Sequence, residues 1–324
     1  MANKDTKIPR ETHWPSVLFY LYLHFSAFIG LYLGIFQVKW TTIFYTICLI
    51  YLSVLGLTAG AHRLWAHASF KANIFLRQFL AFAQTLICQG PIYEWAIEHR
   101  LHHEYFGTEK DPFNSSRGFW FTYFINKLVS SHPDNENLLK AINAKDLDQD
   151  PVVMWQKRLY WLLAPLLMII TVVLPSELWD ESLFCSIFFV GFFRITVSLH
   201  YSWILNAATI IWGLEPLNKY SIQTNLVFIF NKSLWPQYHY ILPWDYQCGE
   251  YGSYNNGCIT AHIRVWAALR LVTDLRTIDT EGIRKAMIEA ATTGQDFNEC
   301  VEKYTFDPNL LKIKCELDLE RIPC

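Results

Sequence analysis

Four long apolar stretches constrain the fold of this chain more than any other feature. A helix needs about 20 predominantly apolar residues to cross the hydrocarbon core of a bilayer. The stretches approach or exceed that length, and they come in two pairs with a short linker inside each pair. We therefore expect two transmembrane hairpins, with spans at about residues 15–37, 41–59, 159–174 and 183–203.

The distribution of charge predicts how these hairpins are oriented. The linker at 175–182 contains three acidic residues and no Lys or Arg, whereas basic residues collect in the amino-terminal tail, in the middle segment and after residue 212. Cytoplasmic loops carry an excess of Lys and Arg. We therefore expect both termini and residues 60–157 in the cytosol, with Lys39 as an exception in the first linker.

Two polar segments, at 60–157 and 213–324, are expected to form a cytosolic helical cap. The first contains ten Lys or Arg and ten Asp or Glu, so most of it must lie in water. Together with the spans, these segments predict a single domain over residues 1–324. Three local predictions follow from the same segments: a helix at 74–93 that lies either at the membrane surface or on the cap, a solvated loop at 134–150 and a soluble helix at about 280–292.

Composition excludes some classes of protein. The net charge of −2 gives no electrostatic basis for binding nucleic acid. The eight cysteines contain no Cys-x-x-Cys pair, which indicates reduced thiols and not a disulfide framework. Arg194 lies inside the fourth apolar stretch, where a charged side chain usually faces the protein interior.

Two clusters of histidines predict a metal site. His99, His102 and His103 are spaced i, i+3 and i+4, so a helix places all three imidazoles on one face. Converging neutral imidazoles are ligands for transition metals. The alternative is three surface histidines with no shared role. A second cluster upstream, His62 and His67, favours the metal site.

These histidines lie within motifs that resemble those of a known family. The chain is similar to membrane acyl-CoA desaturases of the stearoyl-CoA Δ9 type and their insect relatives, from about residue 55 to residue 252. The spacing His-x4-His followed by His-x2-His-His in a four-span protein is specific to such enzymes. The motifs are Gly60-Ala-His-Arg-Leu-Trp-Ala-His67, Trp95-Ala-Ile-Glu-His-Arg-Leu-His-His103, Asp111-Pro-Phe-Asn-Ser-Ser-Arg-Gly118 and Pro243-Trp-Asp-Tyr246.

The resemblance implies a fold and a chemistry. It implies an all-α integral membrane protein with four transmembrane helices in two hairpins, and a cytosolic helical cap that holds a histidine-rich diiron site. A non-haem diiron centre in such enzymes activates dioxygen and removes two hydrogens from a fatty acyl-CoA. The electrons come from cytochrome b5 and its reductase. The location implied is the endoplasmic reticulum membrane, in contact with its lipids.

The resemblance also implies which residues form the site. No catalytic residue is expected apart from the metal ligands, which include one asparagine linked to the metal through water. The expected ligands are His62, His67, His99, His102, His103, His239 and Asn206. The expected substrate-binding residues, which shape the apolar acyl tunnel and its bend, are Gln89, Trp95, Ser202 and Trp203.

The third histidine box departs from the family pattern. Histidines expected there and after the asparagine are replaced by Ile210, Pro236 and Tyr240. Isoleucine and proline side chains cannot bind a metal, whereas Tyr238 or Tyr240 could in principle. All three losses fall in the carboxyl-terminal half of the site, so we expect one iron position to be weak or empty.

Two further positions bear on the site. The end of the tunnel that binds coenzyme A has Ile97-Glu98 where the family has Arg-Asp, and Ser130-Ser131 where it has a basic pair. Fewer cations should weaken binding of a phosphate-rich ligand. His200 lies near Asn206 and is either a substitute ligand or a polar residue facing the helix bundle.

Different classes of function remain compatible with these residues. The first is a desaturase that introduces a cis double bond into a fatty acyl-CoA, with electrons from a separate partner because no His-Pro-Gly-Gly haem motif occurs. The second is a catalytically impaired relative that binds lipids or a partner protein, since fold alone does not establish activity. A hydroxylase on the same scaffold is a third.

Overall fold

The computed structural model describes residues 8–211, 239–240, 242–248 and 257–306. The predictions made at Pro236 and Tyr238 lie outside these residues, as does the side chain of Ile210. The chain divides into two compact units, and the prediction of one domain stays a prediction. The first unit comprises Met1–Ala66 and Arg77–Pro216, and the second comprises His67–Leu76 and Leu217–Cys324.

The described part of the first unit is helical. Two of its long helices contain π-helical segments, which we call the first and second π-helix. The helices in chain order are α1 (Trp14–Phe36), α2 (Trp40–Leu55), the first π-helix (Gly56–Ala66), α3 (Ile74–Thr85, beginning in the second unit), α4 (Ile92–Glu104), α5 (Phe119–Tyr123), α6 (Asn135–Ala141), α7 (Lys145–Asp148), α8 (Pro151–Trp179), α9 (Leu183–Ser186), the second π-helix (Ile187–Phe193) and α10 (Arg194–Ile211).

The second unit combines helices with one short antiparallel strand pair, in which Lys71 pairs with Thr273. The helix predicted at about 280–292 is confirmed as α12, whose amino terminus is capped by the Asp279 carboxylate accepting from the Gly282 N–H (2.6 Å). The described elements are β1 (Lys71–Ala72), α11 (Cys258–Ala268), β2 (Val272–Thr273), α12 (Thr280–Thr293) and α13 (Phe297–Tyr304).

The prediction of four spans in an all-α membrane protein is confirmed. Within the described residues, four helices are long and apolar enough to cross a membrane: Trp14–Phe36, Trp40–Ala66, Pro151–Trp179 and Leu183–Ala207. Three of them extend well beyond their predicted bounds, and the fourth span does so by ending at Ala207 and not at 203. The second continues through the first histidine cluster to Ala66, and the third begins at Pro151, directly after Asp150.

Asp150 explains the early start of α8. Its carboxylate accepts hydrogen bonds from the N–H groups of Val152 (2.9 Å) and Val153 (3.2 Å), and a proline occupies the first helical position. This is a favourable helix start because it satisfies otherwise unpaired donors and presets the backbone. Gln156, Lys157 and Arg158 in the second turn interrupt the apolar run, so a prediction from apolar stretches placed the start of the span after them.

Two local predictions are wrong. The segment 74–93 is not one helix, because Cys88 and Gly90 have positive φ angles of 57° and 100° and Pro91 follows them, so α3 and α4 are separate. The segment 134–150 is not a loop, because α6 and α7 lie within it and bury Leu138 and Leu147. Their apolar residues are too few to outweigh the surrounding charges in a composition-based prediction.

Small residues let the first unit pack its spans closely. A Cβ atom on Gly30 of α1 would lie 2.2 Å from the backbone oxygen of Phe188, and one on Gly34 would lie 2.3 Å from the Phe189 ring. Glycine at such positions allows two helices to approach at backbone distance inside a membrane protein. Arg194 is fully buried and donates to the carbonyls of Val190 and Leu86 (2.8 Å each), so its predicted inward orientation is confirmed.

The two linkers of the hairpins are joined by one polar cluster. The buried Glu181 carboxylate accepts from the Lys39 N–H (2.9 Å) and the Thr42 hydroxyl (2.5 Å). The Lys39 ammonium donates to the carbonyls of Trp179 (2.7 Å) and Asp180 (2.6 Å), at the carboxyl end of α8. A cation there satisfies unpaired carbonyls and the helix dipole. Lys39, the exception in the charge distribution, therefore has a structural role.

We predict that Glu181→Ala lowers the melting temperature of the purified protein, because it leaves the Lys39 amide and Thr42 hydroxyl without their acceptor. An orphaned buried donor costs about 1–3 kcal/mol. The control is Glu177→Ala, which removes an exposed carboxylate from the same end of α8. Equal melting temperatures for the two variants would contradict this account of the linker cluster.

Candidate metal centre

The first unit brings one histidine of the first cluster to the helix of the second. His62 lies in the first π-helix, at the end of the second candidate span, with 3% of its surface exposed. π-Helical segments are rare and frequent at functional sites, because the wider turn redirects side chains. In the first π-helix, the His62 side chain is placed in the protein interior.

The predicted helical face in α4 is confirmed. The ring centroids of His99 and His103 are 4.8 Å apart, those of His99 and His102 are 5.9 Å apart, and those of His102 and His103 are 5.7 Å apart. His99 and His102 are buried and His103 is half-buried. The i, i+3, i+4 spacing therefore produces a cluster and not three separate surface residues.

His62 joins this cluster. Its ring centroid lies 4.7 Å from that of His99, and the two rings offer ligand nitrogens within 4.8 Å of each other. Trp95 stacks on His99 at 5.0 Å and meets His62 edge-on at 6.1 Å, so one predicted tunnel residue contacts both histidines. Buried imidazoles from two helices are a donor set suited to a first-row transition metal.

Asp111 orients one of these imidazoles. The Nδ1 atom of His102 lies 2.7 Å from Asp111 Oδ1, and both side chains are buried. Asp111 also accepts from the N–H groups of Gly107 (3.0 Å) and Phe113 (2.8 Å), which fix the carboxylate. A carboxylate can only accept, so Nδ1 carries the proton and Nε2 keeps its lone pair. This is the usual arrangement around a metal-binding histidine.

Arg100 holds the two histidine-bearing helices together. Its guanidinium donates to the carbonyls of Trp65 (2.7 Å) and Ala66 (3.0 Å), the last residues of the first π-helix. It also binds the Asn143 carbonyl (2.6 Å) and forms two bonds to Asp146 (2.6 and 2.8 Å). Burial acts to raise the pKa of Asp146, but the hydrogen bond and charge of Arg100 outweigh it and hold that pKa below its ordinary value.

The second unit contains the other two histidines of the predicted site. The rings of His67 and His239 are 4.8 Å apart, and they also offer nitrogens within 4.8 Å of each other. The Sγ atom of Cys248 lies 3.9 Å from His239 Nδ1, and both residues are buried. Tyr240, which replaces an expected histidine, has its ring 5.8 Å from that of His239.

Backbone hydrogen bonds connect the segments that carry these two histidines. The Tyr246 N–H donates to the Arg276 carbonyl (3.0 Å), and the Arg276 N–H donates to the Ser69 carbonyl (2.9 Å). The Arg276 guanidinium lies 4.9 Å from the centre of the Trp244 ring. The motif Pro243-Trp-Asp-Tyr246 therefore fixes the position of its segment relative to the one that begins at His67.

The remaining predicted site residues lie on α10 and before α4. Asn206, Ser202 and Trp203 are buried on α10, and Gln89 is half-buried in the turn between α3 and α4. Among the described residues, the Ser202 hydroxyl and the Gln89 Oε1 atom are buried without a hydrogen-bond partner. Trp203 packs in a separate aromatic cluster with Tyr20.

No family model matches the chain, but curated proteins do. It is 37% identical to an acyl-CoA Delta-9 desaturase of Acheta domesticus over 290 residues, which cover 87% of this chain and 81% of that protein. It is 33% identical to an acyl-CoA Delta-12 desaturase of Tribolium castaneum over 307 residues, covering 92% and 86% respectively. An acyl-CoA Delta(11) desaturase of Trichoplusia ni is also 33% identical, over 289 residues that cover 88% and 82%. The chain belongs to the acyl-CoA desaturases.

This family consists of oxidoreductases. The resemblance to membrane desaturases that the histidine motifs indicated is therefore confirmed. The individual ligands remain predictions. His200 of this desaturase-family chain lies in another network, where it contacts His24 and Tyr123. The predicted alternative of a polar residue facing the helix bundle describes this environment.

Three residues that contact predicted ligands, or the helix that carries one, were not identified as site residues from the sequence: Asp111, Cys248 and Arg100. Asp111 opens one of the motifs that carry the resemblance, and Arg100 lies between two predicted ligands, so both had a positional signal. Cys248 had none, because its proximity to His239 depends on the turn at 243–247. Contacts across such turns cannot be inferred from residue spacing.

A small polar cavity of about 50 Å³ lies in the first unit beside α4 and α5. Both departures from the family pattern contribute to its lining, through Glu98 and the pair Ser130 and Ser131. It retains basic side chains. The cations that line it are Arg10, Lys110 and Lys127.

We predict that Asp111→Asn lowers the affinity for a first-row transition metal about 10- to 100-fold, because the amide no longer fixes the His102 tautomer. Metal bound per purified chain, measured across a titration with ferrous iron, provides the test. Asp148→Asn is the control, since Asp148 is an exposed carboxylate that accepts from the Tyr93 hydroxyl (2.9 Å). An unchanged affinity in Asp111→Asn would exclude this orienting role.

Proposed function

We propose that this chain is an acyl-CoA desaturase of the endoplasmic reticulum. It removes two hydrogens from a fatty acyl-CoA, leaves a cis double bond, and takes electrons from cytochrome b5 and its reductase. The observation that carries the proposal is the histidine cluster of the first unit, at the end of a candidate span and in contact with Trp95. Its relatives are named as acyl-CoA desaturases.

Iron, when bound, supplies the activation of dioxygen needed to oxidise an unactivated acyl chain. The proposed ligands include Asn206, which would contact the metal through water. The Asp111 carboxylate fixes the proton on Nδ1 of His102, which supports a metal-binding role for that ring. The proposed histidine ligands are His62, His67, His99, His102, His103 and His239.

The acyl chain is proposed to run along Trp95, Gln89, Ser202 and Trp203. Trp95 contacts His62 and His99, so a chain against its indole would pass close to the histidines. The buried oxygen atoms of Gln89 and Ser202, which have no partner among the described residues, are consistent with polar groups that line a bend.

The phosphate-rich end of the substrate is proposed to bind at the polar cavity beside α4 and α5. Arg10, Lys110 and Lys127 provide positive charge there. Glu98 opposes them, with its carboxylate 3.9 Å from the Lys127 ammonium. We therefore expect acyl-CoA affinity to depend strongly on ionic strength, since exposed charge pairs are screened by salt.

A second candidate function is supported by the third histidine box. Ile210, Pro236 and Tyr240 stand where the family has histidines, and two of them cannot bind a metal. On this account one iron position is weak or empty, His239 and Asn206 are its remaining ligands, and desaturation is low or absent. The protein would then act as an impaired relative that binds lipids or a partner.

Iron content distinguishes the two candidates. We predict that the unmodified chain binds less iron than full diiron occupancy, and that Ile210→His, Pro236→His and Tyr240→His together raise occupancy and any desaturase activity. The three changes are combined because each alone leaves the site incomplete. Iron per purified chain and fatty acid products in desaturase-deficient yeast are the measurements.

The control makes the same substitutions outside the expected ligand pattern, as Ile125→His, Pro133→His and Tyr93→His. These histidines should add no tightly bound iron. Full diiron occupancy with yeast complementation by the unmodified chain would exclude the impaired-relative function. It would also mean that other residues complete the metal site.

The proposed orientation places both termini and residues 60–157 in the cytosol. We predict that a flexible insert carrying an Asn-Ser-Thr glycosylation acceptor stays unmodified after Ser130 in microsomes. The same insert after Asp180, in the linker opposite, should be glycosylated. Modification of the Ser130 insert, with none at Asp180, would reverse the proposed orientation.

A further inference from the structure

Three polar side chains from three helices of the first unit form a continuous hydrogen-bonded chain. His24 Nδ1 lies 2.6 Å from the backbone oxygen of Tyr20, and His24 Nε2 lies 3.1 Å from His200 Nε2. His200 Nδ1 lies 2.6 Å from the Tyr123 hydroxyl. We call this the His24–His200–Tyr123 chain. It connects α1, α10 and α5.

The backbone carbonyl at one end fixes the direction of every bond. A carbonyl oxygen can only accept, so His24 Nδ1 carries a proton and, in the neutral ring, His24 Nε2 is an acceptor. His200 must then donate from Nε2 and accept at Nδ1, and the Tyr123 hydroxyl donates to it. The chain ends at the Tyr20 carbonyl, which cannot release a proton, so it is suited to holding side chains in place and not to proton transfer.

The side chain that this network surrounds is Trp203. The His200 ring lies 4.8 Å from the Trp203 indole and His24 stacks on it at 6.2 Å and 25°. Tyr123 meets it edge-on at 6.3 Å. Trp203 is among the largest fully buried side chains described. Every member of the chain therefore contacts the indole that the proposed function places along the acyl chain.

We propose that the His24–His200–Tyr123 chain is a positioning unit that fixes the Trp203 indole and thereby sets which carbons of the acyl chain are placed for oxidation. The inference rests on the proposed function, because it takes Trp203 as part of the tunnel wall. Hydrogen bonds between three helices prevent the aromatic rings around the indole from sliding past one another, which apolar contacts alone would allow.

Overall similarity does not indicate which carbons this chain would oxidise. Proteins named for Delta-9, Delta-12 and Delta(11) positions are all 33–37% identical to this chain over most of its length. The position of the double bond must therefore be sought in the residues along the proposed tunnel, of which Trp203 is one.

The test uses the full-length protein in lipid nanodiscs. Tyr123→Phe removes only the hydroxyl that donates to His200, and His200→Phe removes both of its hydrogen bonds but keeps a planar ring. His200→Gln retains one acceptor and one donor. Tyr45→Phe is the matched control, because Tyr45 in α2 donates to the Thr171 carbonyl (3.2 Å) and meets the Trp179 ring edge-on, away from Trp203.

Two ratios are measured for each variant. The first is the ratio of affinities for tetradecanoyl-, hexadecanoyl- and octadecanoyl-CoA, and the second is the ratio of double-bond positions in the products. We expect Tyr123→Phe and His200→Phe to change these ratios roughly threefold to tenfold, as expected for one or two lost hydrogen bonds. His200→Gln and Tyr45→Phe should preserve them. Melting temperatures show whether each variant folds.

The results distinguish a failure of the positioning role from a failure of the proposed activity. Unchanged ratios in Tyr123→Phe and His200→Phe, or an equal change in Tyr45→Phe, overturn the positioning role. If His200→Phe does not fold, Tyr123→Phe decides alone, since it keeps the ring and its contacts. Acyl-CoA binding without turnover refutes the proposed activity but still tests the positioning role through the affinity ratios. Absence of both binding and turnover in the unmodified protein overturns both.

Discussion

The guanidinium of Arg100 is the contact on which the histidine cluster of the first unit depends. Its hydrogen bonds to the carbonyls of Trp65 and Ala66 fix the carboxyl end of the first π-helix against α4. A charged donor to a carbonyl is a strong interaction, and here it also satisfies helix-end acceptors that would otherwise be unpaired.

Polar side chains inside the candidate spans usually hydrogen-bond to the backbone of their own helix, and the exceptions are informative. Most of them satisfy themselves locally: the hydroxyls of Thr46, Ser53 and Thr196 each donate to the carbonyl four residues earlier, as expected where no water competes. The hydroxyls of Ser186, Ser198 and Ser202 do not, and they have no partner among the described residues. The His24–His200–Tyr123 chain departs in another way, because two of its three bonds join residues far apart in the sequence. Of these departures, Ser202 precedes Trp203 in the sequence and the hydrogen-bonded chain contacts its indole.

The two candidate functions agree that the amino-terminal histidines could bind a metal. They differ in whether the carboxyl-terminal half of the proposed metal site can hold a second one. The first unit clusters four imidazoles, and a carboxylate fixes the tautomer of one of them, His102. The second unit retains His67 and His239, and it adds Cys248 beside the His239 ring. A proposed site that keeps the histidines of its amino-terminal half and loses histidines in its carboxyl-terminal half is expected to hold its two metals with unequal affinity. Activity would then be controlled by the weaker position, since dioxygen chemistry at a diiron centre needs both metals.

The sequence alone determined the four spans, the helical face of α4 and the family, because each depends on local periodicity, length or ordered motifs. It also showed that Ile210, Pro236 and Tyr240 stand where the family has histidines, because residue identity at a position is given by the sequence itself. Only the tertiary structure decided that α2 continues through His62 as a π-helix, that the charged segment 134–150 folds into α6 and α7, and that His200 hydrogen-bonds with His24 and Tyr123. These features rest on contacts between residues far apart in the chain. Spacing along the sequence reports which residues share a face, but the partner across that face is set by packing.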